Sequence, residues 1–117
     1  FSAYANTIEV SDKLIAEDPD LINRFISASR KGWEDFLTND PQPAFDLIQE
    51  LNPDMPSDKL AYAHSKMIEY NIVTGDGEKI GSMSADRWKE FYEMSVELGI
   101  YDSEFDHEKA YTLEFSN

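Results

Sequence analysis

The 117-residue sequence contains no cysteine. Disulfide bonds, thiolate nucleophiles, iron–sulfur clusters and cysteine-ligated zinc are therefore excluded. The lack of cysteine leaves the redox compartment undetermined, because reduced and oxidising compartments both hold cysteine-free proteins. No stretch of the sequence approaches the roughly 18 consecutive apolar residues that a membrane-spanning helix needs. We therefore predict no insertion into a membrane.

Basic side chains are scarce as well, since 10 Lys and Arg stand against 24 Asp and Glu, for a formal net charge of −14. A surface this negative repels phosphate backbones, so we predict no nucleic-acid partner. Glycine and proline number only five each, while 41% of the residues are hydrophobic. That composition is too rich in core-forming residues for a disordered chain. The length predicts a single domain, residues 1–117.

Helix start signals recur along the middle of the sequence. In each, a Ser or Asp side chain can accept a backbone N–H at a helix N-terminus. Both of the Asp residues are followed by proline, which is favoured at the first helical position. The five residues are Ser11, Asp18, Asp40, Ser57 and Ser84. Asn52-Pro53 should end the third helix. Gly99 before Ile100 is typical of a left-handed helix C-cap. Gly32 falls inside the second helix, where it predicts a close approach of another backbone.

The two ends of the chain have a different pattern. The β-branched alternation at Thr7–Val10 predicts one short strand, and residues 111–115 fit either a second strand or a helical turn. The fold prediction is therefore mainly α, with about five helices and one short N-terminal strand.

No set of residues resembles a catalytic centre. His64 and His107 are the only histidines, and no HExxH arrangement accompanies them. We interpret His64 as a satisfied, buried or half-buried histidine and His107 as a charged surface residue. Because no nucleophile, base and orienting group come together, we predict no catalytic residue, no cofactor and no enzyme activity.

Two further segments contain residue types that occur in phosphate-binding or metal-binding sites. The glycine-rich run from Thr74 to Gly81 matches neither the Walker A motif nor the dinucleotide-binding motif, and it carries acidic side chains that would repel phosphate. We therefore predict a surface turn. The acidic residues between Asp102 and Glu108 lack the EF-hand spacing, so we predict no dedicated metal site.

Aromatic side chains allow a stacking pocket for a flat heterocycle, although helical spacing favours a core role; they are Trp33, Phe36, Trp88, Phe91 and Tyr92. Tyr4 and Asn6 differ from these residues, because they precede the predicted strand. The Asn6 amide can offer both a donor and an acceptor to a ring.

Five short motifs follow one another in an order typical of one family. They are Asp18-Pro19-Asp20-Leu21, Gly32-Trp33-Glu34, Asn52-Pro53, Gly81 followed by Arg87-Trp88, and Leu98-Gly99-Ile100. Through this series the chain resembles the C-terminal part of the thiamine-pyrimidine-precursor binding and synthesis family. That family lies within the ABC-transporter solute-binding proteins of the nitrate, sulfonate and taurine type. The resemblance covers nearly the whole chain.

The resemblance implies a fold and a site. Family members are similar to type II periplasmic binding proteins, in which an α/β sheet of each of two lobes contributes to a ligand cleft, and this chain resembles the last part of one. Residues 1–10 then correspond to the crossover segment and last strand, and residues 11–117 to a helical array. Tyr4 and Asn6 match the family's tyrosine and asparagine at the crossover, so we expect both to contact the ligand.

The function implied by the resemblance is small-molecule binding without catalysis. We expect a segment of a solute-binding protein of an ABC importer, for a thiamine-pyrimidine-like or related heterocyclic or anionic ligand, facing the periplasm or the cell exterior. A transporter membrane subunit would be its partner at full length. Two alternatives stay open: a free-standing acidic helical domain acting through protein contacts, and a fragment of a thiamine pyrimidine synthase.

An unpaired strand and apolar helix faces without a covering sheet would be exposed to solvent. We therefore also expect association through these surfaces, either between copies of the chain or with an N-terminal partner chain.

Overall fold

The computed structural model describes residue 4, residues 6–74 and residues 78–116. Its α-helices are α1 (Asp12–Glu17), α2 (Pro19–Thr38), α3 (Gln42–Leu51), α4 (Ser57–Glu69) and α5 (Ala85–Glu97), followed by one 3-10 helix, His107–Ala110. The prediction of a mainly α fold with about five helices is confirmed. None of the described helices is both long enough and apolar enough to cross a membrane.

The predicted N-terminal strand is absent. Residues 7–10 have no regular secondary structure, and the part of the chain that the structure describes contains no strand with which they could pair. Because the N–H and C=O groups of a strand need a neighbouring strand, the local β preference of Thr7–Val10 is not enough to form one. At the other end, the Ser116 N–H donates to the Leu113 carbonyl at 3.2 Å and closes a turn.

Three of the predicted helix starts have the expected capping hydrogen bond. The side chains of Ser11, Asp18 and Ser84 each accept the backbone N–H three residues further on, at 3.2, 3.0 and 3.3 Å. Each bond satisfies one of the N–H groups that a helix N-terminus leaves without an intrahelical partner. These side chains therefore fix where α1, α2 and α5 begin.

The other two helix starts differ from each other. Pro41 holds the N-cap position and α3 begins at Gln42, one residue later than predicted, although the Asp40 carboxylate accepts the Gln42 N–H at 3.0 Å. Ser57 is not a cap, because Pro56 holds the N-cap position and Ser57 is the first residue of α4. The Ser57 hydroxyl instead donates to the Gln49 side-chain oxygen at 3.2 Å.

Two glycines that the sequence singled out have different environments. Gly99 has φ +70°, and the Ile100 N–H donates to the Ser95 carbonyl at 2.8 Å, so the predicted left-handed C-cap is confirmed. At Gly32, a Cβ would meet no described atom within 4 Å. The predicted close approach of another backbone is therefore wrong, and Gly32 is an ordinary helix-interior position.

We expect alanine to have opposite effects at these two glycines. Gly32→Ala should raise the free energy of unfolding by about 1 kcal/mol, because alanine is the better helix former and the site has room for its methyl group. Gly99→Ala should lower it by about 1 kcal/mol, because a left-handed backbone is unfavourable for a residue with a Cβ. Urea unfolding of both variants measures the two shifts, and shifts of the same sign would contradict this account.

Contacts divide the chain into two compact units: the described residues of 1–23 together with 82–117, and those of 24–81. We call them unit 1 and unit 2. In unit 1 the buried apolar side chains are Ile22 and Phe115, and in unit 2 Phe45. The expected division into residues 1–10 and 11–117 within one domain stays a prediction.

The glycine-rich run ends within unit 2. Arg30 of α2 donates from Nε to the Ile80 carbonyl at 3.0 Å and from Nη2 to the Gly81 carbonyl at 3.5 Å. Gly81 has φ +72°, which favours glycine. The described residues of this run therefore form a turn held to α2, and residues 75–77 lie outside the described residues.

Large apolar side chains are exposed in both units. Those with at least three-fifths of their surface exposed include Leu98 and Ile100 in unit 1 and Leu51, Tyr62, Tyr70 and Ile72 in unit 2. Apolar side chains exposed one by one are normal at a protein surface, and only a large contiguous patch indicates association. Association between copies through these surfaces stays a prediction.

Candidate functional site

The two predicted ligand contacts, Tyr4 and Asn6, differ in their surroundings. The Tyr4 ring is half-buried, whereas Asn6 is exposed to solvent. Tyr4 thus packs against neighbouring residues, whereas the Asn6 side chain is accessible to solvent. A ligand-binding role for either residue stays a prediction.

Tyr4 is held at the N-terminus of α5 by two polar contacts. Its hydroxyl oxygen accepts the backbone N–H of Ser84, the N-cap residue of α5, at 2.8 Å. The guanidinium carbon of Arg87, in the first turn of the same helix, lies 4.2 Å from the centre of the Tyr4 ring. A cation over a ring face is attracted by the negative charge density of that face.

Two further rings extend this arrangement. The centres of the Tyr4 and Trp88 rings are 5.4 Å apart, with their planes tilted by 44°. Trp88 also stacks on Tyr111, with centres 5.1 Å apart and planes within 1° of parallel. We call Tyr4, Arg87, Trp88 and Tyr111 the Tyr4 cluster. All four residues belong to unit 1, and all four are half-buried.

Trp88 contains an unusual polar atom. Its indole Nε1 is fully buried and has no hydrogen-bond partner among the described residues. Leaving a buried donor unpaired destabilises a protein by about 1–3 kcal/mol. Such an N–H is therefore a group to which an acceptor from outside the cluster would bind favourably.

The Tyr4 cluster combines three kinds of group that bind planar ligands. It has three aromatic rings, all in half-buried residues, a guanidinium group and an indole N–H. Stacking of a flat heterocycle on one aromatic side chain contributes about 1–3 kcal/mol. The cluster also places a positive charge in a chain whose net charge is −14. It therefore suits a planar ring with acceptor groups at its edge.

Part of this cluster could be predicted from the sequence and part could not. The family resemblance indicates Tyr4, and the aromatic content indicates Trp88. The sequence gives no ligand-binding signal for Tyr111, which fits a strand or turn, or for Arg87, which is part of a family motif. No local pattern links Tyr111 to Trp88, because the two are far apart in the chain.

The remaining aromatic candidates lie in other clusters. Phe91 contacts Tyr101, with ring centres 6.3 Å apart, within unit 1. Trp33 and Phe36 contact each other in unit 2, with centres 6.0 Å apart. The expectation that most of these rings serve packing agrees with these contacts.

His64 is a half-buried, hydrogen-bonded residue of unit 2, as predicted. Its Nε2 lies 2.7 Å from the Phe36 carbonyl oxygen. Because a carbonyl oxygen only accepts, the ring N–H donates this hydrogen bond. Phe36 is in the last turn of α2, where carbonyl groups lack intrahelical partners. The histidine ring also lies edge-on to Phe36 and Phe45, at 4.7 and 5.9 Å. His64 therefore closes the end of one helix against another.

His107 was predicted to be a charged surface residue, but it is half-buried and stacked on Tyr92, with ring centres 4.6 Å apart. Beside it, the Lys109 ammonium hydrogen-bonds to Asp106 at 3.0 Å and lowers the pKa of that carboxyl group. The described residues contain no group of side chains arranged to hold a metal ion. This segment is thus a packed turn with an exposed ion pair.

Comparison with known proteins gives one family and one relative. The model of the NMT1/THI5-like family matches residues 1–44. The riboflavin-binding protein RibY of Chloroflexus aurantiacus is 31% identical over 120 residues, which cover 98% of this chain and 34% of RibY. The chain therefore spans about a third of the length of this relative. No solved structure matches the chain.

Proposed function

We propose that this chain is a non-catalytic segment that helps to bind a small molecule. It is related to the NMT1/THI5-like family of solute-binding proteins, as its motif series predicted. The observation that carries the proposal is the 31% identity to a riboflavin-binding protein over 98% of the chain. No residues with the arrangement of a catalytic set were found in the sequence, which agrees with a binding role.

The ligand that we propose is a planar nitrogen heterocycle. Riboflavin is the first candidate, because the relative is named for binding it. The thiamine-type pyrimidine implied by the sequence resemblance is the second. The Tyr4 cluster supports either ligand through its aromatic rings, and Asn6 adds an exposed amide two residues away from Tyr4.

The cellular role that we propose is solute capture for an ABC importer, on the outer face of the cytoplasmic membrane. This step rests on the family resemblance, since proteins of this type deliver ligands to a transporter membrane subunit. The negative net charge of −14 opposes binding to anionic lipid, so we expect the docking partner to be a protein.

Riboflavin fluorescence offers a direct test, because stacking on aromatic side chains quenches flavin emission. We expect saturable quenching when the protein is titrated into riboflavin, measured with this chain and with the full product of its gene. Competition with a thiamine pyrimidine would show which heterocycle binds better, and taurine and nitrate serve as non-planar and inorganic controls. Chromatography should recover the ligand chemically unchanged.

Two results would contradict the proposal that this chain is a non-catalytic binding segment. If neither protein quenches riboflavin or binds the pyrimidine in calorimetry, the binding proposal is wrong, and a role through protein contacts gains support. If the ligand is converted during incubation, the synthase alternative is favoured.

A further inference from the structure

The Tyr4 cluster has more hydrogen-bond donors than acceptors. A guanidinium group and an indole N–H only donate, and the face of an aromatic ring offers no strong acceptor. The Tyr4 hydroxyl oxygen already accepts the Ser84 N–H at 2.8 Å. The buried Trp88 Nε1 thus has no partner among the described residues. A bound molecule with an acceptor group would give this N–H its missing partner.

The ring surfaces restrict what that molecule can be. Tyr4, Trp88 and Tyr111 are each only half-buried as residues, and their rings are the groups on which a planar molecule would stack. A ligand that both stacks and accepts a hydrogen bond at its edge is planar and bears a ring carbonyl or an unprotonated ring nitrogen. Flavins, pteridinediones and pyrimidinediones offer the carbonyl, whereas an aminopyrimidine offers ring nitrogens that lie beside an amino donor.

We propose that Trp88 is a specificity-determining residue of the ligand site, whose indole N–H donates to a ring carbonyl of a planar heterocycle stacked on the Tyr4 cluster. This inference rests on the proposed function and adds a contact that distinguishes carbonyl-bearing rings from aminopyrimidines, in which an amino donor beside the ring nitrogen would meet the donors of the cluster. Because Nε1 is buried, the proposed contact requires the side chain that covers it to move aside.

The tryptophan content of the chain makes the donor directly observable. Trp33 and Trp88 are its only tryptophans, so a proton–nitrogen correlation spectrum contains two indole signals, and Trp33→Phe identifies which one belongs to Trp88. On addition of riboflavin we expect the Trp88 indole proton to shift downfield, as it does when an N–H gains an acceptor. The Trp33 signal, which comes from unit 2, should stay in place.

Affinity measurements complete the test. Trp88→Phe keeps an aromatic ring but removes the donor, so riboflavin should bind about tenfold more weakly, as expected when a buried acceptor loses its partner. Trp33→Phe is the matched control and should bind as the unmodified chain does. If Trp88→Phe does not fold, as judged by circular dichroism, the signal shift in the unmodified chain decides the question.

The outcomes separate this inference from the proposed function. If the unmodified chain binds riboflavin but the Trp88 signal does not move and Trp88→Phe binds equally well, the role of Trp88 is wrong while the proposed function stands. If the unmodified chain binds no planar heterocycle at all, both are overturned. A downfield shift together with weaker binding of Trp88→Phe supports both.

Discussion

Phe45→Ala should lower the free energy of unfolding of unit 2 by about 3–5 kcal/mol, the usual effect of removing a buried phenylalanine. Phe45 is only 5% exposed and is the buried apolar side chain of this unit among the described residues. Its ring lies 6.1 Å from that of Phe36 and 5.9 Å from that of His64. Because the free energy of unfolding of a small domain is only about 5–15 kcal/mol, this single substitution removes a large part of it.

Phe25 provides the matched control for this variant. It lies in the same unit, on α2, but 57% of its surface is exposed. Phe25→Ala should therefore change the unfolding free energy by about 0.5 kcal/mol or less. Urea unfolding followed by far-ultraviolet circular dichroism measures both variants. Equal losses in the two would show that Phe45 is not the centre of the unit.

The helices could be predicted because their signals are local. A capping side chain acts on an N–H three residues away, as Ser11, Asp18 and Ser84 do. The left-handed cap at Gly99 depends on the conformation of one residue. Such signals locate a helix start only to within about one residue. Ser57 was the predicted N-cap, but Pro56 holds that position and Ser57 is the first residue of α4.

Features that depend on distant residues could not be predicted in the same way. The strand preference of Thr7–Val10 needed a partner strand, which the described part of the chain does not supply. The Tyr4 cluster joins one residue before α1, two residues in α5 and one after the 3-10 helix. Its members have no common period, so only the fold brings them together. The two residues found beforehand came from a family resemblance and from aromatic content.

Tyr4→Ala should weaken riboflavin binding on the order of 10- to 100-fold, since one stacked ring contributes about 1–3 kcal/mol. The reason is that Tyr4 offers its ring to the proposed ligand while Arg87, at 4.2 Å, and Trp88, at 5.4 Å, hold that ring in place. Tyr62→Ala is the control, because Tyr62 is an exposed tyrosine of unit 2. It should leave the affinity unchanged in the same fluorescence titration.

Tyr4→Phe separates stacking from the anchoring of α5. Phenylalanine keeps the ring but removes the oxygen that accepts the Ser84 N–H at 2.8 Å. The unfolding free energy should therefore fall by about 1 kcal/mol, while riboflavin affinity stays within roughly threefold of the original, because the stacking surface is retained. If Tyr4→Phe loses as much affinity as Tyr4→Ala, the hydroxyl rather than the ring is the contact. If Tyr4→Ala binds normally, the tyrosine only anchors α5, and the crossover position is structural in this chain.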